Sequence, residues 1–143
     1  MSAYIDTSAL AKCYVREAAS LRVLEWADAQ ETPVTAALTL VEFRCLLARR
    51  RRGGQIDSRL EQRALAEFDS HVRSGAWRIH PTPFADYAGA RDLIDMLPDV
   101  PLRALDALHL AVARSSGATQ FATADKAQAE AATALGFTVH RFY

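Results

Sequence analysis

The chain has little of several features that assign a function class quickly. It has two cysteines in 143 residues, Cys13 and Cys45. They are far apart, form no CxxC pair and fit no zinc pattern, which excludes a disulfide framework or a structural zinc site as the basis of the fold. They read as two reduced, partly buried thiols. Lysine is almost missing: Lys12 and Lys126 are the only two, and the other 15 of the 17 basic residues are arginine. Seventeen acids balance them to a formal net charge of zero. That argues against a broad nucleic-acid footprint and leaves any polyanion binding to a local patch. No stretch approaches the roughly 20 apolar residues of a membrane span. Asp6 interrupts the one apolar run near the start, which is unlike a signal peptide, so a cytoplasmic protein is expected. There is no repeat, no low-complexity tract and no long linker. There is also no glycine-rich phosphate loop, which argues against nucleotide-driven chemistry.

What is present is an ordinary globular balance, 50% hydrophobic and 24% charged, at a length suited to one domain over residues 1–143. Short apolar runs predict five strands, at residues 3–6, 33–36, 77–80, 119–122 and 137–142. Between them the periodicity predicts helices at 8–15, 18–29, 39–52, 57–74, 84–97, 102–115 and 125–135. In the second of these helices Leu21, Leu24 and Ala27/Asp28 are spaced for one buried face, and Gly53-Gly54 and Asp57 read as a helix stop and a helix cap. Alternating strands and helices imply an α/β fold with a mostly parallel sheet and helices on both faces. In such sheets ligands bind beyond the carboxyl ends of the strands, where the strand order switches.

Four carboxylates fall in suitable places. Asp6 leaves the first strand in Tyr4-Ile5-Asp6-Thr7-Ser8, and Glu42 opens a helix in Thr39-Leu40-Val41-Glu42-Phe43. Asp106 sits in Leu105-Asp106-Ala107-Leu108-His109-Leu110, and Asp125 follows the fourth strand in Thr123-Ala124-Asp125-Lys126. Each has a purely structural explanation. Asp6 and Asp125 can cap helices, Thr39 and Glu42 fit a capping box, and Asp106 can complement a helix dipole. Asp106 is the hardest to explain this way, because it interrupts an apolar stretch with no arginine one turn later, and an unpaired buried carboxylate is costly. If the fold gathers the four acids, carboxylates about 4 Å apart repel by roughly 4 kcal/mol at an effective dielectric of 20. A divalent cation relieves that repulsion, and oxygen ligands suit magnesium or manganese.

On these four segments the chain resembles the PIN-domain ribonucleases, most closely the VapC-type toxins of toxin–antitoxin pairs, over nearly its whole length. The resemblance implies a three-layer α/β/α fold and Mg2+- or Mn2+-dependent endoribonuclease activity; a metal-activated water attacking the phosphorus, without the 2′-hydroxyl as nucleophile, predicts a 5′-phosphate on the downstream fragment. It implies that Asp6, Glu42, Asp106 and Asp125 carry the metal and the catalysis, with Asp6 and Asp106 as principal ligands. It gives Thr7, Ser8 and Thr123 a role in orienting water, acids or phosphate. It also implies a homodimer and a cognate antitoxin partner beside the RNA substrate. Arg49 to Arg52 form the densest basic run, either a solvated helix end or, through Arg49 and Arg50, an RNA contact. His109 reads as a packed, hydrogen-bonded histidine, the tryptophans and phenylalanines as core or interface, and Arg44 as surface or interface. Other readings are a related metal-dependent DNase, or a non-catalytic protein-binding module whose acids only cap helices. An aspartyl phosphatase would place an acid where Ser8 stands. A phosphate-accepting receiver would place an aspartate where Arg78-Ile79-His80-Pro81 runs.

Overall fold

The computed structural model describes residues 2–143. Five short strands, β1 (Ala3–Ile5), β2 (Val34–Ala36), β3 (Arg78–His80), β4 (Gln120–Thr123) and β5 (Thr138–Arg141), form one sheet in the order β3-β2-β1-β4-β5. Every pairing is parallel, so the sheet is wholly rather than mostly parallel. The helices are α1 (Thr7–Leu10), extended by a 3-10 turn at Ala11–Cys13, α2 (Ser20–Asp28), α3 (Leu38–Arg52), α4 (Ser58–Ser74), α5 (Phe84–Met96), α6 (Ala104–Ser115) and α7 (Lys126–Ala134).

Side chains alternate across a strand, and the central strands send both sets into apolar surroundings. Ile5 and Ala122 face a core built with Leu10, Val23, Phe43, Leu47 and Phe68, from α1 to α4. Tyr4, Val34 and Phe121 face a second core built with Leu93, Leu108, Leu110 and Ala131, from α5 to α7. The result is the expected three-layer α/β/α arrangement. Phe43 and Phe68 pack with ring centroids 4.9 Å apart, and Tyr14 lies 5.4 Å from Phe43. Each such buried side chain contributes about 1.5–3 kcal/mol.

Local signals set the helix ends. The Asp57 carboxylate accepts the Leu60 N–H at 2.8 Å and starts α4. Gly75, at φ +80°, ends it in the left-handed conformation that glycine adopts without strain. Helix α2 differs from expectation. Its buried residues are Ser20 and Val23, with Trp26 and Ala27 packed against the same core, whereas Leu21 (68% exposed) and Leu24 face outward. The Ser20 hydroxyl accepts the Glu17 N–H and lies near the Val15 carbonyl, which pins that face inward. Cys13 is half-buried, but Cys45 is exposed. The buried stripe of α3 runs Thr39, Phe43, Leu47, which turns position 45 to the opposite side. Phe84 likewise stands exposed rather than in the core.

From β1 the chain adds β2 and β3 on one side and then returns to place β4 and β5 on the other. The switch point is therefore between β1 and β4, and the crevice beyond their carboxyl ends is where a ligand site belongs. Among the described residues no helix is long and apolar enough to cross a membrane.

Candidate active site

Asp6 follows β1 directly and Asp125 lies two residues beyond β4, so the topology alone brings them to the switch point. Asp6 is buried and both its carboxylate oxygens are engaged. Oδ1 accepts the Ser8 hydroxyl at 2.7 Å and the Ala9 N–H at 3.0 Å, and Oδ2 accepts the Thr123 hydroxyl at 2.5 Å. Ser8 Oγ also accepts the Ala124 N–H at 2.9 Å, and Thr123 Oγ1 accepts the Asp125 N–H at 3.0 Å. These bonds close a clamp across the two central strands. Burial pushes the Asp6 carboxyl above its usual value, opposed by His109, the two hydroxyls and the Ala9 N–H. The structural explanations for Asp6 and Asp125 are also true: each caps the helix it precedes, Asp125 accepting the Gln128 N–H at 2.8 Å. Capping uses one oxygen of Asp125.

Asp106 lies in the first turn of α6 and is half-buried. Its carboxyl is pushed up by burial, then by the negative charge of Asp125, and further by that of Asp6. A backbone hydrogen bond from Arg103 and the nearby His109 pull the other way. The structure thus brings Asp125 and Asp6 each within electrostatic reach of Asp106.

Glu42 enters differently. Helix α3 begins at Leu38 with Ala37 as its cap, and no side chain caps it, so Thr39 and Glu42 do not form a capping box. Thr39 is fully buried, and its hydroxyl lies 2.8 Å from that of Thr35, which donates to the Ile5 carbonyl. The freed Glu42 side chain reaches back toward β1. Its Oε1 accepts the Thr7 hydroxyl at 2.7 Å and lies 2.6 Å from His109 Nε2. Burial raises the Glu42 carboxyl, but the hydrogen bond and charge of His109, with Thr7, outweigh it and hold the group below its usual range.

Thr7, Ser8 and Thr123 are therefore all at the site, with their hydroxyl hydrogens directed to carboxylates. In this state they orient the acids and have no hydrogen left to donate to a phosphate. Arg49 and Arg50 are elsewhere, about two helical turns, or roughly 10 Å, along α3 from Glu42. Arg50 pairs with Glu17 at 3.0 Å, and Arg51 and Arg44 both pair with Glu61, at 2.7 and 3.3 Å. His109 is packed and hydrogen-bonded, as its sequence context suggested. Its partner Tyr4, whose hydroxyl lies 2.5 Å from Nδ1, was not singled out from the sequence. The available signal was a tyrosine in a strand covered on both faces, where the hydroxyl must find a partner.

No three His, Cys, Asp or Glu side chains among the described residues already close around one point. A magnesium-type ion does not demand that: it keeps several waters and is commonly held by one or two carboxylates plus substrate oxygens. All-oxygen donors that repel one another, one of them buried, fit such an ion.

An α/β protein with an acidic crevice at the switch point of a parallel sheet is the class these features define. The chain belongs to the PIN domain family, whose model matches residues 3–134. Similar solved structures include VapC20 from Mycobacterium tuberculosis, a Sarcin-Ricin loop cleaving toxin, at 21% identity over 96% of each chain and TM-score 0.70. FitAcB from Neisseria gonorrhoeae is similar at 20% identity over 100% of this chain and 97% of that one, TM-score 0.65. VapBC2 from Rickettsia felis, solved bound to a DNA fragment from their promoter, is similar at 14% identity over the whole of both chains, TM-score 0.68. At these identities the likeness shows the fold. Among curated proteins none matches the sequence significantly.

Proposed function

We propose that this protein is the toxin of a toxin–antitoxin pair and works in the cytoplasm as a Mg2+- or Mn2+-dependent endoribonuclease. The observation that carries the reading is the gathering of Asp125 and Asp6 around Asp106 at the switch point, where both raise the cost of the Asp106 charge unless a cation shares them. The bond from the Arg103 backbone accounts for part of Asp106's placement, but not for the negative charges of Asp125 and Asp6 beside it. The similarity in fold to toxins and toxin–antitoxin complexes supports the biological setting and a cognate antitoxin; a homodimer is part of the proposal.

Asp6 and Asp106 would be the principal ligands, with Glu42 and Asp125 completing the site directly or through water. A divalent cation, when bound, supplies positive charge against the phosphate and makes an attacking water more acidic. The chain's residues prepare the site for it. Ser8, Ala9 and Thr123 fix Asp6 so that its carboxylate does not reorganise during the reaction. Thr7 and His109 keep Glu42 ionised on the same rim. Asp106 and Asp125, less restrained, can adjust to the substrate phosphate. In this route water, not the 2′-hydroxyl of RNA, is the nucleophile, so hydrolysis would leave a 5′-phosphate on the downstream fragment.

The test is brief expression followed by sequencing of 5′-phosphate RNA ends, with purified protein assayed in Mn2+ and in excess chelator. New 5′-phosphate ends that vanish with chelator, and in Asp6→Asn, are expected. A 2′,3′-cyclic phosphate product, or full activity in chelator, would refute the reading.

A further inference from the structure

His109 is a heavily engaged polar side chain outside the four acids. It is 3% exposed, yet both ring nitrogens are used. Nε2 lies 2.6 Å from Glu42 Oε1 and Nδ1 lies 2.5 Å from the Tyr4 hydroxyl. The ionised carboxylate accepts only, so the hydrogen between them sits on Nε2. Nδ1, on the far side of the ring, faces the Tyr4 hydroxyl. Tyr4 is itself immobilised: it is fully buried on β1 and stacked on Phe121 with centroids 5.2 Å apart. His109 and Thr7 together occupy Glu42 Oε1, and among the described residues Oε2 has no side-chain or backbone hydrogen-bond partner.

We propose that His109 is a positioning residue: held by Tyr4, it fixes Glu42 by one carboxylate oxygen so that the other is presented to the ligand of the acidic crevice. The proposal rests on the reading of the four acids as a metal site. The chain of contacts runs from Tyr4 on β1 through His109 on α6 to Glu42 on α3, and Glu42 has no partner besides His109 and Thr7 to set its rotamer among the described residues. The arrangement matches the way outer-shell partners orient metal-binding carboxylates, where losing the partner commonly costs ten- to a hundredfold in affinity.

Two substitutions separate this role from simple packing. Asn at 109 keeps a polar group toward Tyr4 but does not reach Glu42; Gln places an amide N–H near the position of Nε2. Mn2+ binding to the full chain, measured by titration calorimetry, is expected to weaken ten- to a hundredfold in His109→Asn and to return to within about threefold of native in His109→Gln. Tyr4→Phe keeps the ring and the Phe121 stacking, and is expected to weaken binding several-fold by letting His109 turn. With RNA, kcat should fall in His109→Asn at nearly unchanged KM. Native affinity in both His109→Asn and Tyr4→Phe, or a Gln variant no better than Asn, would overturn the proposal while Asp106→Asn still abolishes binding. If the native protein binds no Mn2+, the metal reading itself fails and the positioning role falls with it.

Discussion

Replacing Asp106 by Asn should make the metal-free protein more stable and the metal-loaded protein less so. The side chain is half-buried, with Asp125 and Asp6 near enough to disfavour its charge. A carboxyl whose folded value is raised stabilises the fold only below its unfolded value, near 3.9; that contribution is lost as pH rises through the folded value. At pH 7 the charged Asp106 is therefore a net liability, and a neutral amide of the same shape removes it. Two charges about 4 Å apart interact by about 1 kcal/mol in water and about 4 kcal/mol at an effective dielectric of 20. Because Asp106 is half exposed, the screened end of that range applies. About 1 kcal/mol corresponds to roughly 3–4 °C in a domain of this length. Metal reverses the order. A ligand at a hundred times its Kd stabilises the native state by about 2.7 kcal/mol, roughly 8–10 °C, and the variant forgoes it. The assay is calorimetric melting of both proteins at pH 7, in chelator and in Mn2+, with the chelator series repeated down to pH 3, where the difference should vanish. A metal-free Asp106→Asn that melts several degrees below native, or an equal Mn2+ shift in the two proteins, would refute the electrostatic argument.

Other expectations follow from the packing and the thiols. Phe43→Ala opens a cavity between Tyr14 and Phe68 and should cost about 3–5 kcal/mol in denaturant unfolding; a loss below about 1.5 kcal/mol would contradict the core assignment. Arg50→Ala removes a partly exposed pair with Glu17 and should cost no more than about 1 kcal/mol, read by the same unfolding curves. Burial pushes the Cys13 thiol up to about 12, so at pH 8 only about one molecule in ten thousand carries the thiolate. Alkylation followed by mass spectrometry should therefore label exposed Cys45 first and Cys13 only on unfolding.

Much of the fold was legible because strand and helix patterns alternate cleanly, and Asp6 and Asp125 were legible because each immediately leaves a strand. The rest depended on pairings that no local pattern encodes. Tyr4 and His109 are 105 residues apart, and only the folded sheet makes them neighbours. Thr39 and Glu42 match a capping box in spacing, but Thr39 is drawn to Thr35 and Thr7 instead, which frees Glu42 for the crevice. In α2 the leucines suggested the buried face, yet the Ser20 contacts at the start of the helix turned Val23 inward. The arginine run looked available from sequence; Glu17 and Glu61, brought up by the loop after α1 and by α4, claim two of its members.

The clamp between β1 and β4 has a bearing on biosynthesis. Its halves come from opposite ends of the polypeptide, with Ser8 and Asp6 at one and Thr123 and Ala124 at the other. A product cut short before Asp106 carries only two of the four acids and has no β4 to hold Asp6 in place. On the proposed function, a nascent chain would thus lack its acidic crevice until Asp106 and Asp125 had been made, and truncated copies would lack it altogether.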